Sequence, residues 1–343
     1  INLSTNSMRA YGTRKLPACR TIQRIEETNE FPALPSGRVA VFVGSHATWS
    51  KQETKALEKF CESNNAVVFC DHTSNYKGKY RVLGSILACQ KVLKMSDYRP
   101  ETLIHIGEIS GEYYSLRGIS GKQVWRVSKD GEIRDTFKKL RCVFEMDETT
   151  FFQRYAKSQR SESNDYWNAC MSCIDTLNRK IPELPFSNIW IASKFAPRIP
   201  DSSVVHLGIL NSLRSWNFFE MPSSVSSASN VGGFGIDGGV SSLVGASLAQ
   251  KDKLYFGVIG DLAFFYDMNV LGNRHVNRNL RILLVNNGRG TEFKNYNHHT
   301  SHLGDRADDF IAATGHFGNK SMSLVKHYAQ DLGFEYLSAA NKE

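Results

Sequence analysis

The chain has 343 residues, of which 41% are hydrophobic and 11% aromatic, and its formal net charge is +8. At roughly 150 residues a domain, this length predicts about two domains, and the apolar fraction excludes a disordered polymer. No uncharged apolar run reaches the roughly 18 residues that a membrane helix needs, and the first residues lack the pattern of a secretory signal. We therefore expect a folded, cytoplasmic protein without a membrane span.

The cysteines bear on the cellular compartment, and the charges bear on the kind of ligand that the protein binds. The 7 cysteines have no framework spacing, which fits reduced thiols in the cytosol. Cys170 and Cys173 are the only close pair, and we interpret them as packing residues of a helix. Basic residues stand in short runs mixed with acids, without finger spacing or an RNA-binding aromatic motif. The positive charge permits a small anionic ligand, but nucleic-acid binding is not expected.

The first half of the chain predicts a linker followed by an α/β domain. Residues 1–36 are polar, contain three prolines and show no sustained period, which is typical of a linker. From Val39 onward, short apolar strands alternate with helices, and Ser50 is placed to cap the first of these helices. Strands that are apolar on both faces indicate a parallel sheet covered by helices on both sides. The predicted strands of this domain, residues 37–157, are Val39–Val43, Ala66–Cys70, Thr102–Ile106 and Cys142–Phe144.

The same alternation returns beyond a predicted domain boundary near residue 157. A helix over residues 164–177 and a stretch punctuated by prolines come first, and strands then alternate with helices again. The sequence thus predicts two doubly wound parallel-sheet domains, over residues 37–157 and 158–343. The predicted strands of the second domain are Val204–Leu207, Tyr255–Ile259 and Arg281–Val285, and its predicted helices include Gly239–Gln250 and Phe264–His275.

Polar motifs follow two strands of the second domain, where ligands of open α/β sheets bind. Gly260-Asp261 comes directly after one strand, and Asn286-Asn287 comes after the next. Carboxylate and amide oxygens suit Mg²⁺, and the start of the helix near Ala263 suits a phosphate. Each motif alone fits a helix cap or a turn. Because both follow buried strands, the pair favours a site for a metal ion and a diphosphate.

This pairing resembles the thiamin diphosphate signature, in which Gly-Asp is followed along the chain by Asn-Asn. The segments Ser229–Gly238 and Gly260–Leu271 are similar to the 2-succinyl-5-enolpyruvyl-6-hydroxy-3-cyclohexene-1-carboxylate synthase family in particular. Asn211-Ser-Leu-Arg214 is similar to that family's substrate-side Asn-Ser-x-x-x-Arg element. The resemblance covers residues 204–293 closely, and over residues 38–150 it is one of architecture only.

The resemblance implies roles for residues of this chain. Asp261 and Asn287 would bind Mg²⁺ by their side chains and Arg289 by its backbone carbonyl. Backbone N–H groups of Leu262 and Ala263 would hold the diphosphate. The cofactor-binding residues that the resemblance implies are Gly235, Ile236, Asp237, Gly260, Asp261, Leu262, Ala263 and Asn287.

Within this set, Ile236 would be the apolar wedge that keeps the bound cofactor folded, with Gly235 and Asp237 on either side. Ser212 and Arg214 would face the carboxylate of the substrate. Val231 stands where the family shows an Arg, which would remove a guanidinium able to grip a carboxylate at two points. This departure puts the acceptor substrate of the family in question.

A second departure is that the family's N-terminal pyrimidine-binding domain does not precede residue 38. Residues 1–4 resemble the tail of that domain. Since its Glu activates the cofactor, we expect no catalytic residue within this chain and no activity from the chain alone. In the longer protein, the resemblance implies a homodimer or a homotetramer, because the cofactor lies between domains of two subunits.

The resemblance implies a thiamin diphosphate- and Mg²⁺-dependent enzyme that decarboxylates a 2-oxo acid and transfers the acyl carbanion to an acceptor. The nearest family would use 2-oxoglutarate and isochorismate. Two alternatives stay open at this point. One is another 2-oxo acid decarboxylase or carboligase of the acetolactate synthase type, and the other is a non-catalytic module for cofactor binding or assembly.

Overall fold

The computed structural model describes residues 19–89, 93–94, 97–111, 118–157, 163–232, 235–288, 290–294, 298–309 and 321–343. Its strands are β1 (Gln23–Glu26), β2 (Val39–Val43), β3 (Val67–Cys70), β4 (Arg81–Leu83), β5 (Thr102–Ile106), β6 (Gln123–Ser128), β7 (Leu140–Glu145), β8 (Val204–Leu207), β9 (Ser226–Ser229), β10 (Tyr255–Gly260) and β11 (Leu280–Val285). Its α-helices are α1 (Lys51–Asn64), α2 (Gly84–Ala88), α3 (Glu148–Tyr155), α4 (Asp165–Arg179), α5 (Asn188–Phe195), α6 (Asn211–Trp216), α7 (Gly239–Ala249), α8 (Asp261–Asp267) and α9 (Leu324–Asp331). None of these described helices has the length and apolar character that a membrane crossing requires.

The first sheet has seven strands in the order β1-β7-β6-β5-β2-β3-β4, and every neighbouring pair is parallel. All residues of β2, β3 and β5 are buried. Val41 belongs to the apolar layer on one face of the sheet, and its neighbour Phe42 belongs to the layer on the other face. Burial on both faces is what the continuous apolar runs of the sequence predict.

The second sheet has four parallel strands in the order β11-β10-β8-β9. Adjacent residues of its strand β10 again enter different apolar layers, Val258 with α6 and Ile259 with α7 and α8. The predicted fold class, two doubly wound parallel α/β sheets, is therefore confirmed. The predicted helix over residues 264–275 is instead α8, which starts at Asp261 and is followed by a 3₁₀ helix over Met268–Gly272.

Two segments do not follow the predicted division of the chain into a linker and two domains. Residues 23–26 lie in the predicted linker, yet they form β1 and extend the first sheet by pairing with β7. Helix α4 lies beyond the predicted boundary near residue 157, yet its Tyr166, Cys170 and Ile174 are buried in the apolar layer of the first sheet. The Tyr166 hydroxyl also donates a hydrogen bond of 2.5 Å to the carbonyl of Tyr98. By packing, α4 belongs to the first sheet, while the functional division of the chain stays a prediction.

The loop after β3 joins the first sheet to the second. Asn75 and Ser227 are linked twice, because the Asn75 amide donates to the Ser227 carbonyl at 3.0 Å and accepts from the Ser227 N–H at 2.8 Å. The Ser227 hydroxyl donates to the carbonyl of His72 at 2.5 Å. These bonds attach the start of β9 to the loop after β3, so the two sheets meet along a hydrogen-bonded seam.

His72 lies within this seam and is buried with 1% of its surface exposed. Its Nε2 is 3.0 Å from the carbonyl oxygen of Trp216 and 2.9 Å from that of Phe219. Since carbonyl oxygens only accept, Nε2 carries the proton and donates to both. Burial lowers the pKa of His72 to about 3, and the nearby charges of Arg81 and Lys77 act in the same direction. The folded protein therefore holds this imidazole in its neutral form.

We predict that His72 makes the protein less stable as the pH falls. Its pKa is about 3 when folded and about 6.5 in an unfolded chain, so only the unfolded state takes up a proton between these values. The stabilisation is complete above about pH 6.5 and decreases by about 1.4 kcal/mol per pH unit as the pH drops toward 3. Urea unfolding of the protein and of His72→Gln from pH 7.5 to 4.5 measures this difference. If the free energy of unfolding changes with pH in the same way in both proteins, the low pKa assigned to His72 is contradicted.

Candidate functional site

Three loops converge at the carboxyl edge of the second sheet. Gly260 at the end of β10 is in register with Val285 at the end of β11, so the residues that follow them start side by side. Leu207 at the end of β8 is in register with Val258, and the N–H of Gly208 donates to the Val258 carbonyl at 2.8 Å. The parallel strands thus deliver the loops after β8, β10 and β11 to one place.

Asp261 is the centre of this edge. It begins α8 and is buried with 1% of its surface exposed. One carboxylate oxygen accepts from the N–H of Leu262 at 2.8 Å, and the other accepts from the N–H of Gly288 at 2.5 Å. The second bond joins the Gly-Asp motif to the Asn-Asn-Gly motif. Asn287 is exposed beside it, and Arg289, the third predicted metal ligand, lies outside the described residues.

The residue types at this edge fit a magnesium ion and a diphosphate. The Asp261 carboxylate is a hard oxygen donor of the kind that Mg²⁺ prefers. The amide oxygen of Asn287 is a second hard donor. Gly260 precedes α8 without a side-chain cap, and a Cβ added there would meet nothing within 4 Å. Open space is therefore present beside Gly260 at the start of α8.

A second loop connects β9 to α7. Within it Ile236 is half-buried and Asp237 is exposed. The Asn230 amide donates to the Asp237 carbonyl at 2.7 Å, and Gly238 adopts φ +75° immediately before α7. The first turn of α7 is then fixed to the end of α8, because Asp267 accepts from the N–H of Ser241 at 2.6 Å. The loop that carries Gly235, Ile236 and Asp237 is thereby held at both of its ends.

Helix α6 carries the predicted substrate residues and is tied to the loop after β11. Ser212 is buried with 7% of its surface exposed. Arg214 forms a two-pronged ion pair with Glu292, with Nη1 to Oε2 at 2.5 Å and Nη2 to Oε1 at 3.4 Å. The Asn211 amide also donates to the Thr291 hydroxyl. The role of Arg214 toward a substrate stays a prediction, but its charge is matched by a Glu within the protein.

Glu292 is a residue that sequence reasoning missed. It lies five positions beyond Asn287 on a polar loop, and no motif or periodicity distinguishes it there.

The three histidines His298, His299 and His302 stand close together in the sequence and could suggest a metal site. Among the residues that the structure describes, no three His, Cys, Asp and Glu side chains are grouped to hold a metal.

Val231, which stands where the family pattern has an Arg, is part of an apolar contact. It is buried with 4% of its surface exposed and belongs to the same apolar layer as Leu213 of α6. The loop after β5 closes over both, since a Cβ added to Gly111 would come within 2.7 Å of each side chain. Position 231 thus joins the two sheets by packing.

We predict that an Arg cannot be restored at position 231 without a loss of stability. Val231→Arg would place a guanidinium without a carboxylate in the apolar layer, which costs about 3 to 5 kcal/mol. Val231→Ala removes only apolar contacts and costs about 2 kcal/mol. Urea unfolding of the two variants measures the difference. An Arg variant as stable as the unaltered protein would show that this position is open and available to a ligand.

Comparisons with known proteins agree with the motifs. No established family profile matches the chain. Proteins named 2-succinyl-5-enolpyruvyl-6-hydroxy-3-cyclohexene-1-carboxylate synthase do match it. The relative from Bacteroides thetaiotaomicron is 33% identical over 259 residues, which cover 73% of this chain and 44% of the relative. The relative from Phocaeicola vulgatus is 32% identical over 261 residues, covering 73% and 43%. The relative from Bacteroides fragilis is 38% identical over 179 residues, covering 52% and 32%.

The chain thus spans less than half of the length of these curated relatives. Identity at this level, over most of the chain, confirms the resemblance that the motifs indicate. The chain is a homologue of the 2-succinyl-5-enolpyruvyl-6-hydroxy-3-cyclohexene-1-carboxylate synthases.

Proposed function

We propose that the chain is the central and diphosphate-binding part of a thiamin diphosphate- and Mg²⁺-dependent enzyme. The observation that carries this proposal is the bond from the Gly288 N–H to the Asp261 carboxylate, at 2.5 Å. It brings the two halves of the thiamin diphosphate signature into direct contact.

The proposed roles follow the positions of the residues. Asp261 and Asn287 would hold Mg²⁺ by side-chain oxygens, with the carbonyl of Arg289 as a third ligand. The N–H groups of Leu262 and Ala263 would hold the diphosphate at the start of α8. The metal ion would offset the charge that the buried Asp261 carboxylate and the diphosphate bring together.

The remaining residues would bind and orient the cofactor and the substrate. When bound, thiamin diphosphate supplies the carbon nucleophile and the electron sink of the reaction. The half-buried Ile236 would pack beneath it and keep it in the folded shape. Ser212 would donate its hydroxyl to the substrate carboxylate, and Arg214, held in place by Glu292, would add positive charge beside it.

For the reaction, we propose decarboxylation of a 2-oxo acid and transfer of the acyl carbanion to an acceptor. The printed name of the relatives describes a succinyl group added to a cyclohexene carboxylate, which corresponds to 2-oxoglutarate and isochorismate as substrates. The buried Val231 favours one alternative, a carboligase of the acetolactate synthase type with another acceptor. We place the longer protein in the cytoplasm as a homodimer or homotetramer.

We predict that the full-length protein binds thiamin diphosphate only with Mg²⁺, and that this binding depends on Asp261. Calorimetric titration of the unaltered protein, Asp261→Ala and Asp261→Asn would measure it. Asp261→Asn retains one oxygen acceptor while it removes the charge. Both variants should bind at least about tenfold more weakly, a loss of about 1.4 kcal/mol or more.

Asp252→Ala is the matched control, because Asp252 is an exposed aspartate in the turn before β10, at the opposite edge of the sheet. It should bind like the unaltered protein. Binding that needs no Mg²⁺, or that survives in both Asp261 variants, would contradict the proposed site. No binding by the full-length protein would leave the non-catalytic assembly module as the better account.

A further inference from the structure

We propose that His72 of the first sheet is a positioning residue that caps helix α6 of the second sheet and so holds Ser212 and Arg214 in place. This inference rests on the proposed function for the part of its test that uses a substrate. It assigns the central domain a task in the active site, although none of its residues belongs to the thiamin diphosphate signature.

The contacts of His72 are those of a C-terminal helix cap. The last carbonyl groups of a helix have no partner within the helix and need an outside donor. Helix α6 ends at Trp216. The Nε2–H of His72 donates to the Trp216 carbonyl at 3.0 Å and to the Phe219 carbonyl at 2.9 Å. The backbone N–H of His72 donates to Oδ1 of Asn217, the residue that follows the helix, at 3.0 Å.

The junction around the Trp216 and Asn217 contacts is nearly inaccessible to water, whereas Phe219 is half-buried. The exposed fractions are 1% for His72, 2% for Trp216 and 0% for Asn217. The Trp216 carbonyl also accepts from the N–H of Phe219 at 3.0 Å, so loss of the imidazole would remove one of its two donors, and such a loss costs more in a buried junction than at the surface. Removal of the imidazole would therefore shift the end of α6 toward other donors or toward solvent.

A shift at the C-terminus of α6 would reach its functional residues directly. The helix has six residues, so at 1.5 Å per residue it is about 9 Å long and moves as one piece. Along the same helix, Asn211 is paired with Thr291 and Arg214 with Glu292, on the loop that follows Asn287. Helix α6 is thus held between the first sheet and the metal loop.

Histidine suits this position chemically. A neutral imidazole presents a single N–H that can be shared between two carbonyl oxygens, and it adds no charge to a buried junction that already contains Arg81. A Lys or Arg would donate equally well but would bring an unpaired charge.

The test compares three variants of the full-length protein. His72→Leu has a similar bulk and no donor, whereas His72→Gln retains an N–H donor near the position of Nε2. Asn75→Gly is the matched control: it breaks the same seam at β9, does not touch α6, and suits the positive φ of +53° at that position. Amide hydrogen exchange of residues 213–217 reports on α6 without any substrate or cofactor.

We expect His72→Leu to increase exchange at the amides of Leu213 and Asn217 at least about tenfold, and His72→Gln to restore most of the protection. Asn75→Gly should lower the stability of the protein. The protection of these two amides against exchange should then fall no more than that of the other amides of the second sheet. Exchange that is unchanged in His72→Leu, or raised equally by Asn75→Gly, would overturn the proposal.

Steady-state kinetics then separates positioning from general stability. With 2-oxoglutarate as the varied substrate, His72→Leu should raise KM about tenfold with a smaller change in kcat, and His72→Gln should lie near the unaltered protein. A fall in kcat alone, as from a lower fraction of folded enzyme, would contradict a positioning role. If the unaltered protein shows no turnover, the proposed function fails, and hydrogen exchange still decides whether His72 caps α6.

Discussion

A single hydrogen bond, from the N–H of the half-buried Gly288 to the buried carboxylate of Asp261, organises the candidate functional edge of this protein. It exists because β10 and β11 are parallel neighbours in register, so both chains leave the sheet at the same level. The carboxylate is nearly inaccessible to water, and the N–H groups of Leu262 and Gly288 donate to it. Its oxygens and the amide oxygen of Asn287 are hard donors of the kind that Mg²⁺ prefers.

The same edge is tied to the rest of the molecule through α6. This short helix touches the loop after β11 through Arg214 and Glu292, and it touches the first sheet through Trp216 and His72. The apolar contact of Val231 with Leu213, beneath Gly111, closes the junction on its other side. The two sheets are thus connected both by polar bonds and by apolar packing.

Much of this fold could be predicted from local patterns in the sequence. Buried parallel strands read as continuous apolar runs, so β2, β5 and β8 were predicted with the bounds that the structure has. Ser50 was predicted as a cap, and it forms a capping box with Glu53. The convergence of Asp261 and the Asn-Asn-Gly loop followed from topology, because parallel strands present their carboxyl ends at one edge.

What could not be predicted depends on partners far away in the sequence. Strand β1 is Gln-Arg-Ile-Glu with Ile25 as its single apolar residue, and it is fixed by pairing with β7, more than a hundred residues later. The apolar side of α4 is equally compatible with either sheet until its packing is known. Glu292 and His72 act through contacts across 78 and 144 residues, and no local spacing encodes such pairs.

The most direct test of the account is a crystal structure of the full-length protein with thiamin diphosphate and Mn²⁺ in place of Mg²⁺, recorded with the anomalous signal of manganese. The account predicts one strong peak at the carboxyl edge of the second sheet, about 2.1 to 2.2 Å from side-chain oxygens of Asp261 and Asn287. A peak elsewhere, or a bound diphosphate with neither residue among the metal ligands, would contradict it.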